Sequence, residues 1–174
     1  GVTPSLGAYK KILDIFCRRQ QKSQILLDVL NELEKVGTFT PVDPEDFNFF
    51  RRAMDVCDMH LSNVAAAYRL HEIYLKNEEF LPNFNDRNNY YLSLFFVILK
   101  NEPIEVTMEF YNKVTPHVMS PTITAFQTLL RELHSQGASH HLPKLWMDLQ
   151  ASNFAAVKLS IQRETTLKVL DVVA

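Results

Sequence analysis

A proline followed five residues later by an aromatic, which opens an apolar helical stripe, recurs along this chain. It reads Pro4-Ser-Leu-Gly-Ala-Tyr9, Pro44-Glu-Asp-Phe-Asn-Phe49 and Pro121-Thr-Ile-Thr-Ala-Phe126, with a copy lacking the proline at Asp86-Arg-Asn-Asn-Tyr-Tyr91. Successive aromatics stand 40, 42 and 35 residues apart. Self-similarity at a period of about 35–45 residues marks stacked supersecondary units, each too small to bury its own apolar face. Such arrays present long surfaces to partners and rarely carry out chemistry.

Punctuation and period place the helices at about 5–19, 22–35, 44–59, 62–76, 87–100, 103–113, 122–135 and 138–152, with a ninth at about 156–172. Ser5 is the expected N-cap of the first, Gly37 the stop of the second, and Pro44 a first-turn residue of the third, where Glu45 and Asp46 suit the positive end of the helix dipole. Residues 77–86 form a longer, less regular connection. With only four glycines, 47% apolar and 22% charged residues, the chain reads as an all-α array. The expected repeats are 5–42, 43–85, 86–120 and 121–153, with a degenerate repeat or cap at 154–174, in one continuous domain. Gly1-Val-Thr-Pro-Ser5 reads as the end of an earlier repeat, so a longer parent array is expected.

Aligning the copies on their aromatics gives columns. Four residues on stand Leu13, Ala53, Phe95 and Leu130; seven on, Phe16, Val56, Ile98 and Leu133; eight on, Cys17, Cys57, Leu99 and His134. Neighbouring hairpins must stack to share these columns. The layout resembles the pentatricopeptide repeat family, a helical hairpin of about 35 residues with an early tyrosine and a cysteine eight residues later. Tyr9 with Cys17 and Phe49 with Cys57 keep that spacing. The family's second-helix stripe is matched by Thr107, Phe110, Tyr111 and Val114 and by Leu142, Leu145, Trp146 and Leu149, whereas the first two repeats slip by one or two residues. The inter-repeat Gly-x-x-Pro-x link is matched by Gly1-Val-Thr-Pro-Ser5 and in part at Pro44-Glu45 and Pro121-Thr122. Tetratricopeptide repeats share the hairpin but not this cysteine or proline.

The resemblance implies a right-handed superhelical solenoid of about nine helices. The runs Ala53–His60, Ala67–His71 and Ile104–Met108 are similar to members of the family that belong to the mitochondrial small ribosomal subunit. They imply a structural, RNA-associated role in mitochondrial translation, with ribosomal RNA, mRNA and mitochondrial ribosomal proteins as partners. The alternatives are a free organellar RNA-binding protein in transcript processing, and a protein-binding scaffold with no RNA role. Members that read RNA hold each base with two side chains per repeat. Carried over, these are Lys10 with Glu45, Phe50 with Arg87, and Leu92 with Thr122, with Gln127 beginning the next pair. Base edges need hydrogen-bond partners, which Phe50 and Leu92 cannot supply, so sequence-specific reading by this segment is not expected.

A net charge of −2 gives no global field for nucleic acid, so any such contact must be local. Lys10, Lys11, Arg18, Arg19 and Lys22 are the candidate phosphate contacts, set against an ordinary solvated face. Arg51-Arg52 is a second cluster offset by Asp43, Glu45, Asp46 and Asp55. Phe50, beside Phe47 and Phe49, is the candidate stacking platform, and Arg87 completes the candidate set.

Cys17 and Cys57 lack CxxC pairing and read as small core residues. His140-His141, with His134 nearby, read as solvated, since adjacent histidines on a helix diverge and no acidic or thiol partner has ligand spacing. No phosphate loop, nucleophile elbow or clustered acidic metal site is present. No enzyme activity, cofactor, metal or small-molecule substrate is expected. Apolar stretches such as Tyr90–Leu99 are too short to span a bilayer.

Overall fold

Every repeat aromatic goes into the core: Tyr9, Phe49, Tyr91 and Phe126 are each at most 7% exposed. So does the column four residues on, where Leu13, Ala53, Phe95 and Leu130 are fully buried. A computed structural model describes residues 3–16, 22–61 and 63–151 of the chain, and within these it is all-helical. The α-helices are α1 (Leu6–Phe16), α2 (Lys22–Val36), α3 (Phe49–Asp55), α4 (Val64–Leu75), α5 (Phe84–Asn101), α6 (Ile104–Val114), α7 (Ile123–Ser135) and α8 (Leu142–Ala151). The helix expected at about 156–172 lies outside the described residues, as does Cys17. None of the described helices is long and apolar enough to cross a membrane.

The helices fall into two compact units, Gly1–Asn101 and Glu102–Ala174. In the first unit α1 packs on α3 and α3 on α5, while α2 packs on α4. First helices therefore stack on first helices and second on second, as shared apolar columns require. In the second unit α7 packs against α8. The Tyr111 hydroxyl of α6 reaches across to α8, donating to Asp148 Oδ2 at 2.7 Å.

Local capping sets most boundaries. Ser5 Oγ accepts the N–H of Ala8 at 3.2 Å, Asn63 Oδ1 that of Ala66, and Thr122 Oγ1 that of Ala125. Each satisfies one of the orphan donors of a helix start. Gly37, at φ +82°, ends α2 in the left-handed region that glycine enters without steric cost.

The third helix differs from expectation. Pro44–Asn48 is a 3-10 turn, Phe49–Asp55 is α-helical and Val56–Leu61 is a π-helical turn. The tight opening follows from a capping box, in which Asp43 accepts from the helix start and Asp46 turns back onto the Asp43 N–H. The connection expected at 77–86 is also shorter. Glu78–Phe80 forms a 3-10 turn, and Asn83 Oδ1 accepts the Asp86 N–H at 2.9 Å, so α5 starts at Phe84. Two columns fray at one end: Phe16 is 37% exposed, and His134 is exposed where its counterparts Cys57 and Leu99 are buried.

Candidate nucleic-acid face

The first-helix face of the Gly1–Asn101 unit carries polar side chains that bond from one repeat to the next. Lys10 Nζ lies 2.9 Å from Asp14 Oδ2 on the same helix and 3.2 Å from Glu45 Oε2 in the next repeat. Arg52 Nε donates to Asp14 Oδ1 at 2.7 Å, Arg51 Nη1 to Asp86 Oδ1 at 3.1 Å, and Lys100 Nζ to Asp58 Oδ1 at 2.7 Å. Ser93 Oγ donates to Asp55 Oδ1 at 2.8 Å. On α4, Arg69 spans Glu34 and Asn31 of α2. The inter-repeat partners are separated by 35 to 42 residues. The polar surface thus repeats with the same period as the apolar core.

Lys10, Glu45, Asn48, Arg51, Arg52 and Asp55 line a cleft of about 270 Å³ on this face. Its three cations all bond to carboxylates. The hydrogen bond that Lys10 donates to Asp14 holds its ammonium above the ordinary pKa, against the opposing effect of burial and reinforced by Glu45. Burial pushes the Asp14 carboxyl up, but the bonds from Lys10 and Arg52 outweigh it and hold the group below the usual carboxylate range. These pairs leave the cleft close to charge-balanced, and a strand of phosphates would have to displace carboxylates to enter it.

The expected contact residues are dispersed in role. Lys10 sits in the cleft as an ion-paired side chain, and Lys11 is exposed on α1. Arg18 and Arg19 lie outside the described residues, and Lys22 begins α2 with its side chain outside them. Arg87 donates to the carbonyls of Leu81 and Pro82 at 3.0 and 2.9 Å, holding the loop before α5.

Phe50 corrects the stacking expectation. It is fully buried, 5.2 Å from the Phe49 ring, 5.5 Å from Tyr74 and 6.1 Å from Phe80, and offers no face to a base. The reason is helical phase: Phe50 projects from α3 onto Tyr74 of α4 and Phe80 of the turn that follows it, while Phe49, Ala53 and Met54 of α3 are buried as well. Phe47 is the half-buried member of the trio, and it packs on Phe80. Leu92 is also buried. Of the base-reading pairs, Lys10 and Glu45 do meet, as an ion pair.

The histidine pair also departs from expectation. His140 and His141 lie in a 3-10 turn (Ser139–His141), with ring centroids 4.1 Å apart, and both Nε2 atoms reach Glu105. His140 Nε2 is 3.1 Å from Glu105 Oε1, and His141 Nε2 is 2.9 Å from Oε2. The hydrogen bond from His141 holds the Glu105 carboxyl below its usual range. The acidic partner that local spacing does not supply comes from 36 residues earlier, at the start of α6. The repeat period was the signal that could have found it.

No protein-family model matches the chain. The chain is similar to the small ribosomal subunit protein mS39 of Danio rerio, 34% identical over 155 residues, covering 86% of this chain and 23% of that protein. The mS39 of Drosophila melanogaster is 32% identical over 152 residues, with the same shares. That of Bos taurus is 31% identical over 154 residues, covering 85% of this chain and 22% of the relative. The chain thus spans under a quarter of the length of these relatives.

Proposed function

We propose that this chain is a segment of a small ribosomal subunit protein of the mS39 kind, acting in the mitochondrial matrix as a non-catalytic helical scaffold for translation. The observation that carries this reading is the 34% identity to an mS39 protein over 86% of the chain. The resemblance of Ala53–His60, Ala67–His71 and Ile104–Met108 to pentatricopeptide repeat domain-containing protein 3, a mitochondrial small-subunit protein, points the same way. The stacking of α1, α3 and α5 in one layer and of α2 with α4 in another supports an array of stacked hairpins within the Gly1–Asn101 unit, the arrangement that the pentatricopeptide resemblance implies.

Its partners in this reading are ribosomal RNA, mRNA and neighbouring mitochondrial ribosomal proteins. Burial of Phe50 and Leu92 favours RNA contact that is confined to phosphate and independent of sequence. Lys10, Lys11, Arg18, Arg19 and Lys22 are the cations proposed for it, and Arg87 holds the loop before α5.

Sedimentation of a tagged full-length protein from mitochondrial lysate tests the reading. Co-migration with the small ribosomal subunit is expected. Migration at the top of the gradient, with crosslinks to discrete transcript sequences, would replace it with a free RNA-processing protein. Association with the subunit that survives charge reversal of Lys10 and Lys11 and yields no RNA crosslinks would leave a purely protein-binding scaffold.

A further inference from the structure

Three potential ligand atoms converge in the Glu102–Ala174 unit: a Glu105 carboxylate oxygen and one ring nitrogen from each of His140 and His141 all lie within 4.8 Å of one another. We propose that Glu105, His140 and His141 form a binding site for one divalent metal ion of the zinc class, joining the start of α6 to the turn before α8.

The donor set selects the metal. Two imidazoles and one carboxylate suit zinc, cobalt(II), nickel(II) and copper(II). Calcium and magnesium prefer six or more oxygens, and this cluster supplies two. With no thiolate in the cluster, softer ions have no advantage.

The geometry is close to what a tetrahedral ion requires. Bonds of about 2.0–2.1 Å place ligand atoms about 3.3 Å apart. His140 Nε2 lies 3.1 Å from Glu105 Oε1 and His141 Nε2 lies 2.9 Å from Oε2, so each imidazole already meets the carboxylate a few tenths of an ångström inside the separation that a shared ion would set. His141, 17% exposed, is the anchored ligand; Glu105 and His140, at 61% and 65%, can adjust and leave a fourth position to water. To coordinate through the Nε2 lone pair, each ring takes the neutral tautomer that carries its single proton on Nδ1.

The site is independent of the ribosomal reading, which places no demand on these residues. The test is zinc binding by metal-stripped full-length protein, measured by titration calorimetry for the wild type, Glu105→Gln and the double variant His140→Ala with His141→Ala. The wild type is expected to bind one more equivalent than the double variant, and Glu105→Gln to bind that equivalent at least ~10-fold more weakly. Cobalt(II) should give visible d–d bands in the wild type that are absent from the double variant. Equal stoichiometry and affinity in the wild type and the double variant would overturn the site, as would cobalt spectra identical in the two. Circular dichroism matched to the wild type separates loss of the ligands from loss of the fold.

Discussion

The Asp46 carboxylate accepts the backbone N–H of Gly7 at 2.7 Å, 39 residues back along the chain. This one bond ties the first turn of α1 to the 3-10 turn of the next repeat, and the absence of a side chain at residue 7 permits it. A Cβ built there would lie 2.8 Å from Asp46 Oδ1 and 3.2 Å from Glu45 Cβ. An ordinary Gly→Ala change inside a helix gains about 1 kcal/mol. Here the overpacking costs about 1–3 kcal/mol, and the carboxylate cannot swing aside without losing its donors. Gly7→Ala is therefore expected to lower stability by up to about 2 kcal/mol in urea denaturation; a stabilised variant would show that the contact yields.

Asp46 also makes stability depend on pH. Burial raises its pKa, but the N–H groups of Val42, Asp43 and Gly7, with the Ser5 hydroxyl, outweigh that and hold it below the usual range. A carboxyl depressed in the folded state contributes stability above its unfolded pKa of about 3.9 and loses it as pH falls through the folded value. Thermal stability should accordingly drop below about pH 4. Asp46→Asn should be less stable at pH 7 by about 2–4 kcal/mol, because a neutral amide cannot accept three N–H donors as a carboxylate does. Its acid limb should be flatter. Identical acid limbs in the two proteins would remove Asp46 from the account.

Phe50 separates packing from recognition. As a buried ring among Phe49, Tyr74 and Phe80, its truncation to alanine should cost about 3–5 kcal/mol of stability. Phe50→Leu keeps most of the volume and should cost under about 2 kcal/mol. RNA affinity of Phe50→Leu, measured by filter binding below its melting temperature, should match the wild type. A tenfold loss of affinity with the fold intact would restore a stacking role.

Asn77 is buried and bonded on all sides: its amide donates to the carbonyls of Gly37 and Ile73, both at 2.8 Å, and its Oδ1 accepts the Phe39 N–H at 2.8 Å. Asn77→Asp would point a carboxylate oxygen at two carbonyl oxygens. It should be more destabilising than Asn77→Ala, which only leaves those groups unpaired at about 1–3 kcal/mol. Equal melting temperatures for the two variants at pH 7 would contradict this arrangement.

The contrast between Leu13 and Phe50 shows what the sequence makes legible. Leu13 belongs to a column repeated in four copies, and burial of all four members follows from the shared seam between stacked hairpins. Residue type and a place directly after the repeat aromatic suggest Phe50 as a stacking platform, but neither carries the phase of α3 against α4. The same limit applies to polar partners. Asp14 with Arg52, and Glu105 with His141, are pairs only because stacking brings residues about one repeat apart into register. Local spacing is blind to that, although the period itself was on view. The 3-10 turn before α3 depends on where Asp46 finds its donors, one of which is the N–H of Gly7 in the preceding repeat.

That register yields the last expectation. Lys10 and Arg52 share Asp14, and Lys10 also meets Glu45. Each pair is partly exposed and worth at most about 1 kcal/mol to the fold, so Asp14→Asn with Glu45→Gln should remain folded. The two cations would then face the cleft without carboxylate partners. For single-stranded RNA each phosphate neutralised contributes about −0.7 to the slope of log affinity against log salt. The double variant should bind poly(U) more tightly at low salt, with a slope steeper by about 1.4. Unchanged slope and affinity would mean that phosphate does not reach this cleft, and would move RNA contact to Lys11 and the cations beyond α1.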